Sequence, residues 1–231
     1  LTIIRVIDFE TTGIEPPDAE VCEVGLCDFV LEDRRIEEYR SWLCGVKAMP
    51  VEVRAVHHIS LAECAAQPPF DPKTLFDDEL AAACAHNASF ETKFYQSALP
   101  MICTYKAALR IWPDAPSHSN GALRYWLEDQ GKITPVHELT QPAHRAGPDA
   151  YTTAHILMAL FDAGATGKDM VKWTKEPALL PRCPIGKFKG LKWSEVEGGF
   201  LGWMLRQPTM EADLRWNAEQ EIARRAGGTH D

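Results

Sequence analysis

The chain has 231 residues, 45% of them apolar and 25% charged, a balance suited to a globular protein of one large domain or one domain with an appendage. Its 24 basic residues against 33 acidic ones give a net charge of −9. That excludes a basic wrapper of nucleic acid, but not an enzyme that holds nucleic acid through metal ions, which bring their own positive charge.

Residues 2–9, TIIRVIDF, read as a short, fully buried strand. Residues 21–30 (VCEVGLCDFV) and 36–43 (IEEYRSWL) follow as two further strands, the first partly alternating. MPVEVRAVHHIS (49–60) is a loop with a short helix, and PPFDPKTLFDDEL (68–80) is Pro-rich and then helical. AAACAHN (81–87) is a small buried strand. SFETKFYQSAL (89–99) has helical spacing, with Phe90, Phe94 and Leu99 on one side and Ser89 as N-cap. MICTYKAALRIW (101–112) is a brief strand running into a helix. SNGALRYWLEDQG (119–131) is a helix opened by Ser119 or Asn120 and closed by Gly131. PDAYTTAHILMALFDAG (148–164) is the clearest helix, with Pro148 in its first turn and Gly164 at its end. Strands first, then alternating strands and helices, predict an α/β layer with a mixed sheet.

After Gly164 the texture changes. Lys168, Lys172, Lys175, Arg182, Lys187, Lys189 and Lys192 stand against few acids, which places a boundary near 165–180. Beyond it, GKFKGLKW reads as a β-hairpin and VEGGFLGWMLRQ as a helix. The divisions expected are a main domain over 1–165, a linker or helix over 166–180, a small hairpin-plus-helix module over 181–223, and a disordered tail over 224–231. The seven cysteines form no CxxC pair and sit mostly among apolar residues. They predict reduced, buried thiols in a cytoplasmic protein rather than a zinc site. No apolar run approaches the length of a membrane span, so no membrane partner is expected.

Asp8 and Glu10 end the first strand. Two residues apart on a strand, their side chains share a face within roughly 7 Å. Carboxylates that close repel unless something positive lies between them, and Mg²⁺ or Mn²⁺ would serve. Alone, the pair serves equally well as a strand end at the solvent edge. In CAHNASFE (84–91), Glu91 lies in the first turn of a helix, where a lone carboxylate also complements the helix dipole. In AHRAGPD (143–149), His144 lies five residues before Asp149, which begins the strongest helix.

Together, DFETTG, HNASFE and HRAGPD resemble, in order and separation, the three motifs of the DEDDh 3′→5′ exonucleases, which have an RNase H-like fold. The first and third motifs match in full. The second departs at its last residue, where the family usually has Asp and this chain has Glu91. ICTYKAALRIWPDAPSHSNGAL and IGKFKGLKWSEVEGGFLGWML narrow the resemblance to the exodeoxyribonuclease X subgroup, with Ile185 where that subgroup typically has Phe.

The resemblance implies a mixed β-sheet flanked by helices and two divalent ions, Mg²⁺ or Mn²⁺, held by Asp8, Glu10, Glu91 and Asp149, with Asp8 bridging. His144 would accept the proton of the attacking water; a free imidazole titrates near 6.5. Phe9, Thr12, Gly13, His57 and Asn87 are implied nucleotide contacts, while His86 is either a site residue or a structural hydrogen bonder. Lys187 and Lys189 are candidates for the phosphate backbone. The implied activity is removal of nucleoside 5′-monophosphates from DNA 3′ ends, single- or double-stranded, in repair or degradation. RNA trimming, polymerase proofreading, or a binding module impaired by Glu91 are the alternatives.

Overall fold

The computed structural model describes residues 1–77 and 79–227. Strand β1 (Ile3–Thr11) lies at the centre of a mixed sheet. On one side it pairs antiparallel with β2 (Val21–Val30), in a register that sets Asp8 opposite Gly25 and Glu10 opposite Glu23. Off β2 run β3 (Arg35–Ile36) and β4 (Arg40–Leu43), both antiparallel to it. The single strand expected over 36–43 is thus two short ones. The break coincides with Tyr39, whose ring turns inward beneath Gly147, where a Cβ would collide with it. On the other side of β1, β5 (Leu80–Ala85) and then β6 (Met101–Cys103) pair in parallel.

The alternation of β1 decides what each face of the sheet covers. Ile4 and Val6 point to a core shared with Phe29, Cys84, Ile102, Ala154, Leu157 and Leu160. Ile7 and Phe9 point the other way, to Val24, Leu26, Leu75 and Tyr95. The loop before β5 carries two short helices, α1 (Val51–His57) and α2 (Leu61–Cys64). After β5 comes α3, a single turn over Ala88–Glu91. The longer helix expected over 89–99 does not form. Phe94 and Tyr95 instead pack on the second core, in edge-to-face contact with Phe9, and Asn87 rather than Ser89 stands at the N-cap.

Helices α4 (Thr104–Ile111) and α5 (Asn120–Asp129) flank α6 (Ala146–Asp162), which is buried on nearly all sides. A helix apolar all round belongs in a core. It ends at Gly164, at φ +94°, where the Gly164 and Ala165 amides donate back to Phe161 and Leu160.

Helix α7 (Gly167–Lys175) is capped by the Thr166 hydroxyl. Beyond it lies a separate cluster of Cys183, Phe188, Trp193, Val196, Leu201, Met204, Leu214 and Ala218, built largely by α8 (Gly198–Arg206) and α9 (Ala212–Gly227). The hairpin expected over GKFKGLKW is absent. Residues 186–188 and 193–195 form 3₁₀ turns, joined by one antiparallel bridge between Arg182 and Lys192. Helix α9 continues through residues 224–227 of the expected disordered tail, and residues 228–231 lie outside the described ones. All seven cysteines are buried and unpaired. No described helix is long and apolar enough to cross a membrane.

Candidate active site

Asp8 and Glu10 continue the Ile4–Val6 face of β1, the face covered by α6. Asp149 lies in the first turn of that helix. The result is a triad, Asp8, Glu10 and Asp149, in which one ligand atom from each lies within 4.8 Å of the others. Glu91 stands outside this triad, buried at the end of α3, and its Oε2 has no hydrogen-bond partner.

The electrostatics of the cluster are those of uncompensated anions. Burial first, then Asp149, Glu10 and Glu91, push the Asp8 carboxyl well above the usual carboxylate range. Burial with Asp149 and Glu23 raises Glu10 to about 8, although Arg145 opposes the shift. Glu91 rises to about 8 through burial. Asp149 rises to about 6, again through burial, held back by His144. Each shift has one remedy, a positive charge among the oxygens. The donor set is all carboxylate, which suits Mg²⁺ or Mn²⁺. The orphaned Glu91 oxygen is the independent sign of fit, because a buried acceptor without a partner is costly.

His144 is exposed on the loop before α6, at φ +58°. Non-glycine residues rarely adopt this backbone region. The turn is closed by the His144 amide, which donates to Asp149 Oδ2 at 3.0 Å. The loop therefore folds onto Asp149 and leaves the imidazole free above it.

The other sequence-expected residues divide. Phe9 is buried on the opposite face, edge-on to Phe70 and Tyr95, so its side chain is core. Thr12 accepts the Glu20 amide on its hydroxyl at 2.9 Å, and Gly13 lies against Ala19; both shape the turn after β1. His57 is not an open substrate contact: it is 2% exposed, its Nδ1 accepts the Ile59 amide, and Cys22 Sγ is 3.9 Å from Nε2. His86 is structural, with Nδ1 on Thr104 Oγ1 and Nε2 on the His118 carbonyl, and burial lowers it to about 4. Asn87 is exposed and accepts the Ser89 hydroxyl. Lys187 lies 3.1 Å from Glu197 and over the Phe188 ring, whereas Lys189 is exposed.

Sequence reasoning missed Glu23, Arg145 and Asn120. Glu23 is buried and ion-paired to Arg145, and the Asn120 amide donates to the Asp149 carbonyl at 3.1 Å. One signal was legible: Glu23 is a charge inside an apolar strand, and buried charges need a partner.

Comparison with known proteins gives the family and the fold. The chain is 28% identical to Exodeoxyribonuclease 10 of Escherichia coli (strain K12), over 92% of this chain and 96% of that one. It superposes on a solved structure of Exonuclease X in complex with 5′ overhanging duplex DNA, with a TM-score of 0.62 and 28% identity, covering 74% of this chain and 99% of that one. The nuclease domain of 3′hExo, a DEDDh family member bound to rAMP, shares the fold at 15% identity and a TM-score of 0.52, over 70% of this chain and 92% of that one. The family model described as Exonuclease matches residues 6–157, a span that contains every carboxylate of the cluster, and the chain belongs to that exonuclease family.

Proposed function

We propose that the protein is a metal-dependent 3′→5′ exonuclease that releases nucleoside 5′-monophosphates from DNA ends. The observation that carries this reading is the meeting of Asp8, Glu10 and Asp149 within 4.8 Å, beside a buried Glu91 oxygen without a partner. The 28% identity to an exodeoxyribonuclease over 92% of the chain supports DNA as the substrate.

In this reading, Asp8, Glu10, Asp149 and Glu91 would hold the metal ions. Two divalent ions bound there would supply positive charge to the attacking and leaving oxygens of the phosphodiester. His144 takes the proton of the attacking water, its loop fixed by the amide bond to Asp149. The backbone of the end of β1 at Phe9 and of the turn at Thr12 and Gly13, together with Asn87, borders the terminal nucleotide. Lys189, and Lys187 once freed from Glu197, meet the phosphate backbone. Replacing both lysines by alanine should then flatten the salt dependence of DNA binding by one to two phosphate contacts. An unchanged slope in a filter-binding titration would leave them as surface of the C-terminal module.

The test is product analysis on 3′- and 5′-labelled DNA and RNA oligomers with Mg²⁺, Mn²⁺ or chelator. Mononucleotides released from the 3′ end of DNA are expected. Cleavage from the 5′ end, or of RNA alone, overturns the reading.

Glu91 supplies the one observation that favours a second reading, a binding module without catalysis, because its longer arm stands outside the close triad. If Glu91 is a ligand, Glu91→Ala should lose most of kcat, while Glu91→Asp should keep or raise it. An inert natural protein that gains activity only as Glu91→Asp would establish the binding module instead.

A further inference from the structure

Glu23 is a third carboxylate on the same face of the sheet as Asp8 and Glu10, directly across from Glu10 in the β1–β2 ladder. Both of its oxygens are occupied. Oε1 accepts from Arg145 Nη2 at 2.6 Å, and Oε2 accepts from Arg145 Nε at 2.8 Å and from the Ala146 amide at 3.0 Å. It is 3% exposed, and it stands apart from the close triad of candidate ligands. A bidentate guanidinium pair with a third donor on the same carboxylate is a strong, directional contact.

The place where this contact acts gives it a role. Arg145 is the N-cap residue of α6, and Ala146 is its first residue. Both sit between His144 and Asp149, and no side-chain hydrogen bond of the ordinary N-cap kind closes this helix end. Glu23 supplies the missing acceptor from the sheet. Two residues along β2, Gly25 has no Cβ and so admits the Ala146 carbonyl. From α5, the Asn120 amide holds the Asp149 carbonyl. The first turn of α6 is thus tied to the strand that lies beside β1, and the spacing between Asp149 and the Asp8–Glu10 pair follows from that tie.

We infer that Glu23, acting through Arg145 and the Ala146 amide, is a positioning residue that fixes the start of α6 and thereby sets Asp149 and His144 over the carboxylates of β1. The inference rests on the metal site proposed above. It assigns Glu23 no contact with metal or substrate.

The test compares Glu23→Ala, Glu23→Gln and the double variant Glu23→Ala/Arg145→Ala with the unmodified full chain. Four quantities are read: the Kd for Mn²⁺ by calorimetry, kcat and KM on a DNA oligomer, and the thermal midpoint. Glu23→Ala should weaken Mn²⁺ binding about 10–100-fold and lower kcat by a similar factor, the usual cost of losing a group that orients a metal ligand. KM should change little, because no substrate contact is removed. Glu23→Gln keeps an acceptor for the Ala146 amide but loses the charge opposite Arg145, so its Kd and kcat should fall between those of Glu23→Ala and the unmodified protein. It also guards against Glu23→Ala failing to fold. The double variant should be no worse than Glu23→Ala, since both changes remove one contact. A lowered thermal midpoint with Mn²⁺ affinity and kcat unchanged in both single variants overturns the inference and leaves the pair as packing alone. The two failures are distinguishable: an unmodified protein that binds no Mn²⁺ overturns the metal site, whereas strong binding that survives unaltered in the variants overturns the positioning role.

Discussion

His144→Ala is expected to lower kcat by about 10²–10⁴-fold, the range typical of removing a general base. DNA binding, measured with a non-catalytic divalent ion, should stay close to that of the unmodified protein. The geometry separates the two effects. The bond that ties this loop to Asp149 comes from the His144 backbone amide, not from the imidazole, so it survives the substitution. The ring itself is exposed and has no described hydrogen bond to lose. The backbone at φ +58° is the complication, because alanine tolerates that region poorly. His144→Asn is therefore the better control, since asparagine adopts it more readily and cannot serve as the base. Both variants should show this loss of kcat, His144→Asn at an unchanged thermal midpoint. Wild-type turnover in His144→Asn would remove the imidazole from the mechanism.

Chelation should abolish cleavage, and Mg²⁺ or Mn²⁺ should restore it. The same cluster predicts a stability effect that needs no substrate. Asp8, Glu10, Glu91 and Asp149 all titrate higher in the fold than the ordinary carboxylate value near 4. Above that pH the native protein holds protons that the unfolded chain has released, so metal-free stability falls as pH rises, until the folded groups titrate, Asp149 near 6 and Glu10 and Glu91 near 8. The buried histidines work in the opposite sense. His86 and His155 are lowered to about 4, so they add stability as pH rises from about 4 to the ordinary histidine value near 6.5. The window from pH 6.5 to 8 isolates the carboxylates. There the thermal midpoint of chelator-treated protein should fall with pH, and saturating Mn²⁺ should raise it most at pH 8; a ligand at 100 times its Kd stabilises by about 2.7 kcal/mol. Asp8→Asn should be inactive yet more stable than the unmodified protein in chelator at pH 8. A flat midpoint across this window, or full cleavage in excess chelator, would contradict the metal-site reading.

The sheet and the main helices were legible because their signals are local. β1, β2, β5 and β6 have apolar runs of strand length, and α6 carries Pro148 and Gly164 at its ends. The misjudged elements are those where tertiary contacts override local pattern. Phe90 and Phe94 have helical spacing, but the ring of Phe94 joins the second core beside Phe9, and the chain leaves the helix after one turn. The lysine-rich 186–192 stretch alternates like a hairpin, yet Gly186 at φ +63° and the packing of Phe188 on Phe200 turn it into 3₁₀ structure. In the site, the triad carboxylates were readable because their motifs have fixed spacing. The pairing of Glu23 with Arg145 was not, because 122 positions separate them in the chain and only the packing of the start of α6 on β2 brings them together.

Gly25 gives the site a particular mechanical character. At this point helix and sheet touch main chain to main chain, with no side chain between them to change rotamer or to compress. The separation of Asp149 from Asp8 therefore inherits the stiffness of two backbones and is insulated from substitutions in the apolar core farther along α6. Leu157 or Leu160 can be exchanged for residues of similar volume at the cost of stability alone, while a single methyl group added at residue 25 acts as a spacer that pushes the carboxylates apart. Tolerance to change in this molecule is thus distributed against intuition: the large buried side chains are adjustable, and the smallest residue in the sheet is the gauge block.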